Sequence, residues 1–257
     1  MKWISKAMLC RCICAIVFAA AALVTPATAQ DGNIRSVTFY TVKPDRVSDF
    51  QAEIKAYNAL LAKGSSTHYG SVWMSVTGPH EYVHVIMYKN WADLDYDMAA
   101  DPQLKGQAMD LDRIAMRIND CAVSSRRVIE ELLPEYNISS DDTPKMIRVL
   151  QTQVRPEKYH DYLELLKHDI FPAVKKAGTK DYNVAVERFG ESTMQITSVA
   201  GFNSWADLDA GVGAQKALSK EDFEALLDRV RALTTGSEYD IYRFQPDLSY
   251  LPPSTAK

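Results

Sequence analysis

The pentapeptide Trp-Ala-Asp-Leu-Asp stands at 91–95 and again at 205–209. The chain has only four tryptophans, and two of them open the same five letters 114 residues apart. Self-similarity at a long fixed spacing points to one structural unit written twice. The match extends further. Residues 37–50 align with 149–162 at an offset of 112, pairing Val42/Val154, Lys43/Arg155, Pro44/Pro156, Asp45/Glu157, Arg46/Lys158, Asp49/Asp161 and Phe50/Tyr162. At the far end Ser125 and Pro134 match Ser237 and Pro246 at the same offset.

Much of the repeated pentapeptide is explained as a helix start. Asn90 and Ser204 are good N-cap residues, and Asp93 and Asp207 follow three positions later, as in a capping box with Asp for Glu. Leu94 and Leu208 are then expected to begin a buried stripe. Each copy reads strand, helix, strand, strand, helix, strand. In the first copy these are 34–42, 45–63, 67–77, 81–89, 91–119 (broken near Asp101-Pro102) and 122–132. Val47, Phe50, Ile54, Tyr57 and Leu61 give the first helix an apolar face, and Gly64 ends it. The second copy gives 146–154, 157–177, 181–189, 193–202, 205–234 and 237–245. The hairpin of the first copy is expected to turn at Gly78-Pro79.

This order is the split βαβ, ferredoxin-like motif. A four-stranded sheet with both helices on one face leaves its other face bare, and a second copy can cover it. The Val-[Lys/Arg]-Pro-[Asp/Glu] turn, the hairpin and the strand-end Trp resemble the dimeric α/β-barrel superfamily, which includes antibiotic-biosynthesis-monooxygenase-like and NIPSNAP-like domains. The resemblance covers nearly all of 34–245. It implies an α+β fold of two tandem ferredoxin-like βαββαβ repeats packed sheet-to-sheet as an intrachain pseudo-dimeric α/β barrel. It fixes no single activity, because the superfamily includes cofactor-free monooxygenases, haem-degrading enzymes and lyases. The expected organisation is a signal peptide at 1–29, a first repeat at 30–133, a polar linker at 134–145, a second repeat at 146–246 and a C-terminal tail at 247–257.

The first thirty residues carry Lys2, Lys6 and Arg11, an apolar run from Cys12 to Val24, then Ala27-Thr28-Ala29. That pattern is a secretory signal with cleavage after Ala29, and the run is shorter than the ~20 residues a membrane span needs. An exported, periplasmic or secreted protein is expected. Cleavage removes three of the four cysteines, leaving Cys121 without an intrachain partner, and losing the three basic residues moves the formal net charge from −4 to −7. A mildly acidic chain without a basic run argues against nucleic acid and, once the signal is gone, against membrane partners. A monomer with an intrachain pseudo-dimer is expected, with a small apolar or aromatic molecule as its partner.

Strand alternation nominates the side chains of the barrel lumen. Val72, Met74, Val83, Val85 and Met87 form one apolar set, expected under the helices. The opposite set is Tyr69, Ser71, Trp73 and Ser75 with Tyr82, His84, Ile86 and Tyr88, whose mixed aromatic and polar character suits a ligand cavity. Phe39 and Thr41 correspond to Gln151 and Gln153 on the same face. His84 corresponds to Ser198 and Tyr82 to Ile196, so any single pocket belongs to the first half. His84 is the candidate catalytic residue. Phe39, Tyr69, Trp73, Tyr82, Tyr88, Gln151, Gln153 and Ser198 are the candidate ligand-binding residues. The alternative is that these rings only fill the barrel.

No metal site is expected. His80 and His84, four apart on a strand, are ~13 Å apart at 3.3 Å per residue, too far to share a zinc. Glu164 and His168 read as a solvated helix face. No cofactor is required by these residues. Three readings remain: an exported small-molecule-binding protein, a cofactor-independent monooxygenase with His84 as base, and a haem protein with His84 or His68 as axial ligand.

Overall fold

The computed structural model describes residues 32–97, 100–140, 142–192, 194–209 and 211–252; the expected signal segment lies outside them. Eight antiparallel strands close into a barrel in the order β1-β3-β2-β8-β5-β7-β6-β4. They are β1 Ile34–Val42, β2 Gly70–Ser75, β3 Glu81–Tyr88, β4 Ala122–Leu132, β5 Met146–Val154, β6 Tyr182–Phe189, β7 Gln195–Phe202 and β8 Thr234–Phe244. The strands of each half are contiguous, and the halves meet edge to edge: β2 bonds to β8 and β4 to β6. Closure satisfies the edge N–H and C=O groups that two separate sheets would leave open.

The helices lie outside. Helix α1 (Val47–Lys63) follows a Pro44–Arg46 turn whose proline has no N–H to leave unsatisfied. It buries Phe50, Ile54 and Leu61. Helix α2 (Ala108–Asp120) buries Leu111, Ile114 and Ile118. In the second half, α3 (Tyr159–Leu165) passes through a π turn, Leu166–Ile170, into α4 (Phe171–Lys176). Pro172 cannot donate to the carbonyl four residues back, so the ladder widens there. Helices α5 (Ala214–Ala217) and α6 (Lys220–Leu233) complete that half.

One expectation is corrected. The repeated pentapeptide does not open a long helix: Trp91–Asp95 and Trp205–Leu208 are isolated 3-10 turns, and neither Leu94 nor Leu208 is buried. The capping chemistry is present nonetheless. Asp93 N–H donates to Asn90 Oδ1 at 3.2 Å, and Asp207 accepts from the Asn203 and Ser204 backbone. The segments after β4 and β8 continue as packed chain. Leu133 N–H donates to the Val184 carbonyl and Gln245 N–H to that of Val72. Tyr136 is buried in the core of the second half and Leu248 in that of the first. Each half therefore ends by packing on the other.

The lumen is filled by Val37, Phe39, Trp73, Val83, Val128 and Tyr242. Beside them lies a buried polar network. Arg35 Nε donates to Glu130 Oε2 at 2.5 Å and Nη1 to Asn183 Oδ1 at 2.9 Å, while Thr197 Oγ1 donates to Glu130 Oε1 at 2.6 Å. It ties β1 and β4 to β6 and β7 across the β4·β6 seam.

Candidate functional site

The hairpin register decides which predicted residues share a face. Trp73 stands opposite Val83, and Val72 opposite His84. The turn is centred on Gly78, whose φ of +75° glycine adopts readily, and not between Gly78 and Pro79. Moving the centre by half a residue shifts the pairing by one and turns every β3 side chain to the other face. Trp73 and Phe39 do face the lumen, with Gln151 and Gln153 on β5. Tyr82, His84, Ile86 and Tyr88 face the helices, while Val83, Val85 and Met87 face inward, the reverse of the expectation for β3.

The nine candidates therefore divide. Phe39 lies under the Arg126 guanidinium, 3.7 Å from its ring centroid, and Trp73 packs on Phe244 at 5.0 Å. Gln153 accepts from Ser192 Oγ at 2.6 Å, and Gln151 stands opposite Thr197 and Glu238. These are lumen packing. Tyr82 is buried with Phe50 at 5.0 Å and its hydroxyl accepts from Gln51 Nε2, so it is core beneath α1. Tyr69 packs on Tyr250 at 5.1 Å. Ser198, on the helix-facing side of β7, is hydrogen-bonded to the Tyr182 hydroxyl.

His84 and Tyr88 remain together beneath the helices, joined by residues not singled out from the sequence. Thr38 stands beside His84 on β1, Arg127 beside Thr38 on β4, and Tyr40 and Tyr57 border the cluster. Arg127 Nε donates to Ser36 Oγ at 2.6 Å, and its guanidinium bonds Tyr88. Burial, then the Arg127 charge, push the His84 pKa down to about 4. Burial, with Tyr40 next, pushes Tyr57 up to about 12. Arg127 is exposed and His84 half-buried, so the cluster reaches solvent. The sequence held a clue to it: at the 112-residue offset Arg127 aligns with Tyr239, and Ser36 with Arg148.

Glycine at position 70 makes the His84 pose possible. A Cβ there would lie 2.3 Å from His84 Nε2. The same contact bears on haem. Iron on Nε2 would have to occupy the space that Gly70 closes, and the His68 Nδ1 is buried with its ring stacked 3.6 Å from Tyr96. Neither histidine fits an axial ligand through these atoms. Among the described residues no group of three His, Cys, Asp or Glu could hold a metal ion. Glu164 and His168 form an exposed pair at 3.1 Å. A groove of about 350 Å³ along α1 and α2 is lined by charges already paired, Arg46 with Asp49 and Arg117 with Glu53. No described helix is long and apolar enough to cross a membrane.

No protein-family model and no curated protein matches the chain. Solved structures do. A candidate monooxygenase of Fusobacterium nucleatum superposes with a TM-score of 0.59 at 12% identity, over 82% of this chain and 91% of that one. A candidate monooxygenase of Lactobacillus acidophilus gives 0.56 at 7% identity, over 82% and 93%. An anthrone oxidase-like protein gives 0.53 at 14% identity, over 84% and 92%. At such identities the likeness speaks for the backbone only. The chain shares the α+β barrel fold of these structures.

Proposed function

We propose that this chain is an exported pair of tandem ferredoxin-like repeats that binds a small aromatic molecule between the sheet and helices of its first half, around His84. The observation that carries the reading is His84 itself. It is a half-buried imidazole, neutral at physiological pH, set among tyrosines and beside a solvent-reaching guanidinium. With Nε2 turned to Gly70, a neutral imidazole accepts a hydrogen bond from a phenolic or enolic hydroxyl through Nδ1, and Arg127 favours any negative charge that develops on that oxygen. Tyr40, Tyr57 and Tyr88 offer ring faces and hydroxyls around it. Several fold neighbours bear monooxygenase names, which supports a ligand of this class without assigning a reaction.

A second reading, cofactor-independent oxygenation, rests on the same His84–Arg127 pairing. An activated methylene would become a carbonyl, O2 supplying that oxygen and leaving its other atom as water. The magnitudes favour binding. Moving a proton from a phenol of pKa ~10 to an imidazole near 4 is uphill by about 8 kcal/mol at 1.36 kcal/mol per unit, and Arg127 would have to recover most of that. His84 then serves better as an acceptor than as a proton store.

Native mass spectrometry of freshly purified protein, with His84→Ala beside it, tests the site. A co-purifying small molecule lost from the variant, with its far-UV spectrum intact, is the expected result. Equal occupancy in both proteins would overturn the assignment. Oxygen uptake with a phenol that carries an activated ring methylene, present in the wild type and absent in the variant, would select the second reading.

A further inference from the structure

The second half contains an arginine with one buried nitrogen that no acceptor among the described residues reaches. Arg148 stands on β5 between Ala200 of β7 and Ile241 of β8, on the helix-facing side. Its Nε is buried without a hydrogen-bond partner, and no ion pair to it is found among the described residues. Its guanidinium carbon lies 5.3 Å from the ring centroid of Tyr239, which is 56% exposed. A Cβ on Gly213 would lie 3.9 Å from Nη2 and 3.6 Å from Val174 Cγ2, so backbone and an apolar side chain wall the other side. Tyr182, bonded to Ser198, is close enough to act electrostatically on Arg148.

Taking a guanidinium out of water without a counter-charge is costly. In the first half the corresponding charge stays exposed: Arg127, at the position of Tyr239, reaches solvent and donates to Ser36, at the position of Arg148. In the second half the arginine has moved to the neighbouring strand and no acceptor has moved with it. We propose that Arg148 anchors the carboxylate of a small aromatic acid, bound between β5, β8 and the Gly213–Ala217 segment. A carboxylate can accept from Nε and an Nη together, in the geometry a guanidinium prefers. The accessible Tyr239 ring and Val174 suit a flat apolar body. A phosphate dianion fits less well, because one arginine with apolar walls offers too few donors. This site stands apart from the His84 cluster and does not depend on it.

Benzoate is the probe, followed by NMR titration and calorimetry. The wild type should show saturable binding, with benzyl alcohol at least tenfold weaker. Arg148→Gln should weaken benzoate at least tenfold. Without ligand it should melt no lower than the wild type, since it removes a half-buried guanidinium whose Nε has no acceptor; a purely structural arginine would lower the melting temperature. Tyr239→Ala should weaken binding a few-fold. His84→Ala should bind benzoate as the wild type does, which separates this site from the first-half site. Absence of wild-type binding, or undiminished binding by Arg148→Gln, would overturn the proposal.

Discussion

The two halves share a backbone plan and differ in where they put bulk and charge. In the first, Gly70 makes room for His84; at the corresponding places in the second, Tyr182 fills the space and Ser198 gives way, bonding the tyrosine hydroxyl. The large side chain has crossed from β3 to β6, its partner shrinking in each case. The arginines make a parallel exchange, from β4 in one half to β5 in the other. The seams differ too. At β2·β8, Trp73 meets Phe244 and Tyr242 donates to Glu81. At β4·β6 the same places hold Leu132 beside Ala185 and the Arg35–Glu130 network. At the His84 and Ser198 positions the bulk lost on one strand is regained on its neighbour, which is how packed cores tolerate drift. The two half-sites need not share a ligand.

The largest effect expected from breaking this comparison is at the polar seam. Glu130→Ala should cost about 3–5 kcal/mol, because Arg35 is left charged and buried. Chemical denaturation measures it. Arg35→Ile with Glu130→Tyr copies Ile147 and Tyr242 of the other half, and should recover most of that loss. If the double variant is as unstable as the single one, the seams are not interchangeable solutions.

A smaller effect comes from acid. His84 has a folded pKa near 4 against an ordinary 6.5, so between those values the unfolded chain binds more protons than the native one. Its contribution is complete above about pH 6.5 and declines as pH falls toward 4, by up to about 3 kcal/mol. His68, also depressed by burial, adds in the same direction. Urea melts at pH 7 and 5 should show the decline in the wild type and a shallower one in His84→Ser. Equal slopes would mean that His84 titrates normally.

The smallest effect sharpens the glycine–histidine exchange. Gly70→Ala forces its new methyl against His84 and should cost about 1–3 kcal/mol, the usual range for overpacking. In a His84→Ser background, where the second half already combines serine with a bulky neighbour, the cost should fall below half of that. A double-mutant cycle reads the coupling directly; additivity would show that the ring does not depend on the glycine.

Sequence alone determined the order of the eight strands along the chain. It placed β1, β4 and β5 at their observed limits, because the apolar periodicity, Pro44, Pro156 and Gly64 act locally. It also put Phe39, Trp73, Gln151 and Gln153 on the inward face. It did not determine the face of β3. Alternation tells which side chains lie together along one strand, whereas the match between strands rests on one turn residue, Gly78. Tertiary structure alone decided that His84 looks at helices instead of the lumen, that the halves join edge to edge, and that Arg148 Nε has no hydrogen-bond partner among the described residues. Each of those depends on contacts between residues far apart in the chain, where the alternatives differ by a single register step or by which strand donates the charge.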